Sequence, residues 1–109
     1  MTTPKNVFEE QLPAKLKGKG DDVKKVNAVY QFSITGANGG DWWVDTTKSG
    51  GEIGAGLRPD AKCTITMAEA DFLDMYTGKL NGQMAFMTGK LKIKGDMSLA
   101  MKLGSVLGL

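Results

Sequence analysis

The chain has 109 residues, 41% hydrophobic and 24% charged, with a net charge of +2. That length fits one domain, residues 1–109, with a modest core, and the charge is too small to point to nucleic acid. There is no histidine and one cysteine, Cys63, which removes the commonest general base and metal ligand and permits no internal disulfide.

A lone cysteine suits a reducing compartment, so a cytoplasmic setting is expected. Met1-Thr2-Thr3-Pro4 runs directly into polar sequence, without the pattern of a secretory signal. No apolar run approaches the roughly 18 residues of a membrane span. An excised domain of a larger protein fits the same features. The carboxylates are scattered and form no recognisable nucleophile–base pair or metal cluster, so the expectation is no catalytic residue, no cofactor and no metal.

Thr3-Pro4 reads as a helix N-cap with proline at the first helical position. Val7, Phe8, Gln11, Leu12, Ala14, Lys15 and Leu16 carry an amphipathic pattern behind it. Pro13 predicts a kink or two short turns, because an interior proline removes a backbone bond. "KGKGDD" at 17 to 22 ends this element.

Residues 26 to 34 alternate, with Val26, Ala28, Tyr30, Phe32 and Ile34 on one face, and predict a half-buried strand. "GANGG" turns the chain at 36 to 40, and "DWWVDTT" returns it as the second arm of a hairpin. Trp42 and Val44 share one face; Trp43 and Asp45 share the other. One tryptophan is expected in the core and the other partly exposed, either simply tolerated there or marking an interface. A weak strand follows around Glu52-Ile53-Gly54. "GGEIGAGLRP" lacks the G-x-G-x-x-G spacing of a nucleotide loop and reads as turns.

"AKCTITM" is another alternating strand, with Cys63, Ile65 and Met67 aligned. Thr66 and Glu69 have capping-box spacing before a helix on which Phe72, Met75 and Tyr76 form one apolar stripe, and Gly78 stops it. A short helix begins at Asn81. "KLKIK" predicts a strand with Leu91 and Ile93 inward and Lys90, Lys92 and Lys94 outward. Asp96 caps a last segment from Met97 to Leu109, apolar on nearly every side and in need of cover. More than twenty residues separate the strands at 61 to 67 and 90 to 94, which suits a parallel crossover. The expected fold is α+β: about five mainly antiparallel strands with helices covering one face.

Apart from Met1, all six methionines lie between positions 67 and 101. Methionine is unbranched and polarizable and fills gaps of changing shape. This bias fits adaptable core filling, or an apolar cavity lined by Phe72, Met75, Met84, Phe86, Met87, Ile93, Met97 and Met101. An empty cavity of roughly 500 Å³ would cost on the order of 12 kcal/mol, comparable with a domain's whole stability of about 5–15 kcal/mol. Such a cavity is filled, or collapses. The lysines of "KLKIK" protect a sheet edge from aggregation, or form a positive patch for phosphate groups or an anionic membrane. No aromatics are interleaved with them, which argues against nucleic acid.

The run "DAKCTITMAEADFLDMYTGKLNGQMAFMTGKLKIKGDMSLAMKL", residues 60 to 103, resembles the sterol carrier protein type two family of nonspecific lipid-transfer domains. "DWWVD" fits that family's tryptophan–valine–aspartate strand, and "NVFEEQLPAKL" fits its first helix less tightly. The resemblance implies a sheet and helices enclosing a hydrophobic tunnel. It implies broad binding and transfer of fatty acids, fatty acyl-CoA, sterols or phospholipids, with transient membrane contact and no reaction catalysed by the domain. It carries the eight apolar residues named above onto the tunnel wall. Eukaryotic members usually end in a peroxisomal Ser-Lys-Leu-like address; this chain ends Val106-Leu107-Gly108-Leu109, so peroxisomal import through that tripeptide is not expected. A monomer is expected. The rival readings are a protein-docking module built on the apolar last helix, and an accessory module presenting acyl-CoA to a lipid-metabolising enzyme.

Overall fold

The computed structural model describes residues 3–18, 25–47 and 51–107, the side chains at 16, 82, 83 and 103–107 excepted. Five strands form one sheet: β1 (Val29–Thr35), β2 (Gly40–Asp45), β3 (Glu52–Ala55), β4 (Cys63–Ala68) and β5 (Leu91–Gly95). Their spatial order is β3-β2-β1-β4-β5. The helices are α1 (α over Pro4–Asn6, π over Val7–Gln11, α over Leu12–Gly18), α2 (Glu69–Tyr76), α3 (Gly82–Met87) and α4 (Met97–Leu107).

Alternation fixes which face is buried. The registers set Tyr30 beside Val44 and Cys63, Phe32 beside Trp42 and Ile65, and Ile34 beside Met67. Leu91 and Ile93 on β5 continue that face across from Met67 and Ile65. Against it lies Phe8 of α1, fully buried. Its ring centroid is 4.9 Å from that of Trp42, 5.0 Å from Phe32 and 5.0 Å from Phe72 of α2, within the usual range for packed aromatic pairs. One ring thus joins two helices to two strands.

Thr3 caps α1, its hydroxyl accepting from the Asn6 N–H at 3.2 Å. Pro13 neither cuts α1 in two nor leaves a gap in the helix. It has no N–H to give Glu9, and its ring would crowd that carbonyl; the preceding turn widens into π register, with Leu12 N–H donating to the Val7 carbonyl. The expected stop at "KGKGDD" lies partly outside the described residues; the helix is described as far as Gly18.

β1 starts at Val29, not at 26. Asn27 takes a positive φ of 47°, and Ala28 is held by Thr46, whose hydroxyl donates to the Ala28 carbonyl at 2.7 Å and accepts from its N–H at 2.8 Å. The meander β1–β2–β3 is antiparallel, as the turn spacings predict.

β4 and β5 correct the sequence reading: they pair antiparallel, and the parallel pair is β1 with β4. The long connection holds two helices and a glycine stop. α2 carries the chain back along the sheet, and α3 with its flanking turns delivers it to β5 in the reverse sense; length alone does not fix a strand's direction. The capping box is also replaced. β4 extends to Ala68, which is the N-cap and makes no side-chain bond, while Thr66 is spent in the ladder opposite Lys92. The Glu69 carboxylate instead accepts from the Asn38 N–H at 3.3 Å. Gly78 does stop α2, at a φ of +87° that favours glycine.

The parallel crossover that the fold does contain, residues 56–62 between β3 and β4, runs without a helix over the outer face. Gln31 holds it down. Its amide donates to the Trp42 and Gly56 carbonyls at 3.0 and 3.1 Å and accepts from the Arg58 N–H at 2.6 Å. The Arg58 guanidinium lies 4.6 Å from the Trp43 ring centre, 3.4 Å from Asp45 and 2.9 Å from Asp60. Trp42 is the core tryptophan; Trp43 is half-buried beneath Arg58.

Candidate functional site

The eight apolar residues singled out from sequence divide into two groups. Phe72 and Met75 face inward from α2 at 1% and 5% exposure, and Ile93 of β5 packs half-buried against the same core. Met84, Phe86 and Met87 on α3, and Met97 and Met101 on α4, stand at the surface, between 39% and 72% exposed. Among the described residues, Leu57 is the one large exposed apolar side chain outside these two helices. Three of the eight thus lie in or against the core, and the other five stand at the surface.

Local structure explains the split. Asn81 opens α3, its side-chain oxygen accepting from the Met84 N–H at 3.3 Å, and the helix lasts only to Met87. One turn and a half turns few side chains to the core, and among those described Ala85 is the fully buried one. The Ala85 carbonyl accepts from the Lys90 N–H at 2.9 Å, which leads directly into β5.

At α4, the Asp96 carboxylate accepts from the N–H groups of Ser98 at 2.9 Å and Leu99 at 3.4 Å. Leu99 and Ala100 then rest on the core, which turns Met97 and Met101, one helical turn apart, outward. The Tyr30 hydroxyl fixes this rotation by donating to the Leu99 carbonyl at 2.6 Å. Tyr30, Ala85, Leu99 and Ala100 escape the sequence reading as site-forming residues. A tyrosine on an otherwise apolar strand face was the available signal, since a buried hydroxyl needs a partner.

The chemistry of this region is apolar. Covering a side chain such as methionine or phenylalanine contributes about 1.5–3 kcal/mol, so five exposed ones constitute a substantial driving force for an apolar guest. The perturbed acids nearby stay protonated at neutral pH. Burial, with Asp96 second, pushes the Cys63 thiol up to about 11, which makes it a poor nucleophile. Burial, then Cys63 and Asp96, hold the Tyr30 hydroxyl well above the ordinary phenol range. Among the described residues no group of three or more His, Cys, Asp or Glu is placed to hold a metal ion, and no helix is long and apolar enough to cross a membrane.

A five-stranded α+β sheet with helices on its buried face, and apolar side chains gathered around one edge strand, has the architecture of a sterol-carrier-like domain. The chain belongs to the SCP-2 sterol transfer family, whose profile matches residues 8–108. It is 51% identical over 84 residues to the hydroxysteroid dehydrogenase-like protein 2 of Bos taurus, a match covering 76% of this chain and 20% of that protein. It is 42% identical over 102 residues to sterol carrier protein 2 of Homo sapiens, covering 90% of this chain and 19% of that one. The matched region is therefore about a fifth of the length of these relatives. The solution structure of palmitated SCP2L2 from Aedes aegypti superposes with a TM-score of 0.80 at 26% identity, covering 99% of this chain and 96% of that one.

Proposed function

We propose that this chain binds and transfers lipids, namely fatty acids, fatty acyl-CoA, sterols or phospholipids, in an apolar tunnel at the β5 edge, and catalyses no reaction itself. The observation that carries this reading is the grouping of exposed Met84, Phe86, Met87, Met97 and Met101 on the two helices beside β5. A lipid chain entering between α3 and α4 would cover these side chains and meet Ile93, Met75 and Phe72 behind them. The palmitated Aedes relative supports a fatty acid as one guest. A chain of sixteen carbons brings roughly 12 kcal/mol of gross driving force at about 0.8 kcal/mol per methylene, part of which offsets ordering and lost freedom. Methionine packing discriminates shape weakly, so selectivity is broad. The lack of histidine supports a carrier over a catalyst, and the single cysteine supports a cytoplasmic setting.

Native mass spectrometry of the purified protein, followed by titration with a fluorescent fatty acid, tests this. A bound lipid mass or saturable micromolar binding is the expected result; a clean apo mass with no saturable binding sinks the reading. The second reading, an accessory module that presents acyl-CoA to an enzyme, is favoured by the small share of the multidomain-sized relatives that the match covers. Its mark is tighter binding of the CoA ester than of the free acid.

A further inference from the structure

β5 is an edge strand of the sheet, and only alternate residues of its backbone are used by β4. The Asp96 N–H donates to the Lys62 carbonyl at 3.3 Å, in step with the pairs Lys94 with Thr64 and Lys92 with Thr66. Bonded pairs alternate in an antiparallel ladder, so these two lysines carry the backbone bonds to β4. The N–H and C=O groups of Leu91, Ile93 and Gly95 point the other way, toward the open side. Among the described residues no further strand pairs there, and the backbone hydrogen bonds outside the ladder include none to these three residues.

The two faces of this edge differ in chemistry. Leu91 and Ile93 turn to the buried face, on which α3 and α4 pack through Ala85, Leu99 and Ala100. Lys92 and Lys94 turn to the opposite face and are exposed; among the described residues neither is ion-paired. From Lys79 to Lys102 the sequence holds five lysines and one acid, Asp96, whose carboxylate is occupied with the first turn of α4. Five less one leaves a local balance of +4 in a chain whose net charge is +2.

We propose that the β5 edge accepts an extended, acidic segment of a partner protein as a sixth strand. The open backbone groups of Leu91, Ile93 and Gly95 pair with the backbone of the segment, which supplies affinity whatever its sequence, and its alternate side chains supply specificity. Acidic residues of the segment stand beside Lys92 and Lys94, and apolar ones beside Leu91 and Ile93. A stretch alternating Glu or Asp with Val or Ile meets both demands. The β5 strand of a second copy does not, because it brings lysine against lysine, and like charges directly opposite are destabilising. The lysines that keep this edge from pairing with itself are thus the ones that select an acidic strand. Strand addition here requires no lipid in the domain.

The test is an NMR titration of the isotope-labelled full chain with a short capped peptide alternating valine and glutamate. The expected result is saturable binding that shifts the Leu91, Ile93 and Gly95 amides and slows their hydrogen exchange by at least about tenfold, with the β3 amides unchanged. A peptide of the same composition in two blocks, valines first and glutamates last, binds at least about tenfold more weakly, and so does an alternating peptide N-methylated at the donors that would face β5. Lys92→Glu/Lys94→Glu weakens binding of the valine–glutamate peptide at least about fourfold and creates binding of a valine–lysine peptide, since each cross-strand charge pair turns from attraction to repulsion and back. Lys5→Glu/Lys17→Glu, at exposed positions of α1, changes binding less than about twofold. Unshifted edge amides, equal binding of the block or N-methylated peptide, or an edge variant that keeps its preference for the valine–glutamate peptide overturns the proposal. So does light scattering that shows peptide-free self-association abolished by the edge variant, which would assign the edge to a second copy of this chain.

Discussion

The Tyr30 hydroxyl and the Leu99 carbonyl, 69 residues apart in sequence, are joined by a 2.6 Å hydrogen bond. Tyr30 is fully buried in the central strand β1, and Leu99 lies in the first turn of α4, so one bond ties the last helix to the middle of the sheet. Tyr30→Phe keeps the ring and removes the tie. The expected cost is about 1 kcal/mol, read as a fall in melting temperature of about 4–8 °C. Hydrogen exchange should show α4 amides losing more protection than those of β1. Unchanged α4 exchange would mean that Leu99 and Ala100 packing alone holds the helix.

Alkaline pH should loosen the same region. Cys63 and Tyr30 are both acids whose pKa is raised in the fold, chiefly by burial. The folded chain therefore keeps protons that the unfolded chain releases, and stability falls as pH rises. Their contribution is complete below the unfolded values, about 8.5 for cysteine and about 10 for tyrosine, and is lost above them as pH climbs through the folded values. Melting temperature should be flat to about pH 8 and fall from about pH 9 upward. A Tyr30→Phe/Cys63→Ala variant should show a shallower fall over the same range.

Asp45 contributes to the acid limb. Burial alone would raise its pKa, but hydrogen bonds from the side chain and N–H of Thr47 and from Arg58 outweigh burial and lower it. Its contribution is present above the ordinary carboxylate value and lost as pH falls through the depressed one. Asp45→Asn should cost about 1 kcal/mol near neutral pH. Its stability should then decline less than that of the wild type between about pH 4 and 2, followed by urea unfolding.

Gly54 makes room for its neighbour across β2 and β3. A Cβ at Gly54 would overlap the Trp43 indole, which sits opposite it in the register. Gly54→Ala should destabilise by about 1–3 kcal/mol through overpacking. Combining it with Trp43→Leu should recover part of that loss in denaturant melts; an additive result would place the strain elsewhere.

Phe72 and the exposed methionines should respond in opposite ways. Phe72→Ala empties a fully packed position against Phe8 and should cost about 3–5 kcal/mol. Met84→Lys and Met101→Lys, at surface positions, should shift stability by no more than about 0.5 kcal/mol. On the proposed lipid site they should weaken fatty-acid binding severalfold in a fluorescence titration. Folded lysine variants with unchanged affinity would remove α3 and α4 from the site.

Much of this molecule was legible in its residues because the signals are local. Strand alternation at Cys63, Ile65 and Met67, the cap at Asp96 and the stop at Gly78 each act within a few residues, and each forms as the spacing predicts. The family resemblance in residues 60 to 103 likewise agrees with the matching family profile. The direction of β5 was not legible. An interval of more than twenty residues accommodates either sense, and it is the pair α2 and α3 that reverses the chain.

The sequence by itself determined the α+β class, the apolar faces, the gathering of the methionines between positions 67 and 101 and the absence of histidine, since all of these are properties of residue identity and short spacing. Tertiary structure decided that Ala85 and not Met84 faces inward, that Leu99 rather than Met101 meets the core, and that β4 pairs antiparallel with β5. A helix as short as α3 takes its rotation from what it packs on. A helix as uniformly apolar as α4 offers no polar face to set its own rotation, and the buried Tyr30 hydroxyl supplies the constraint from across the sheet.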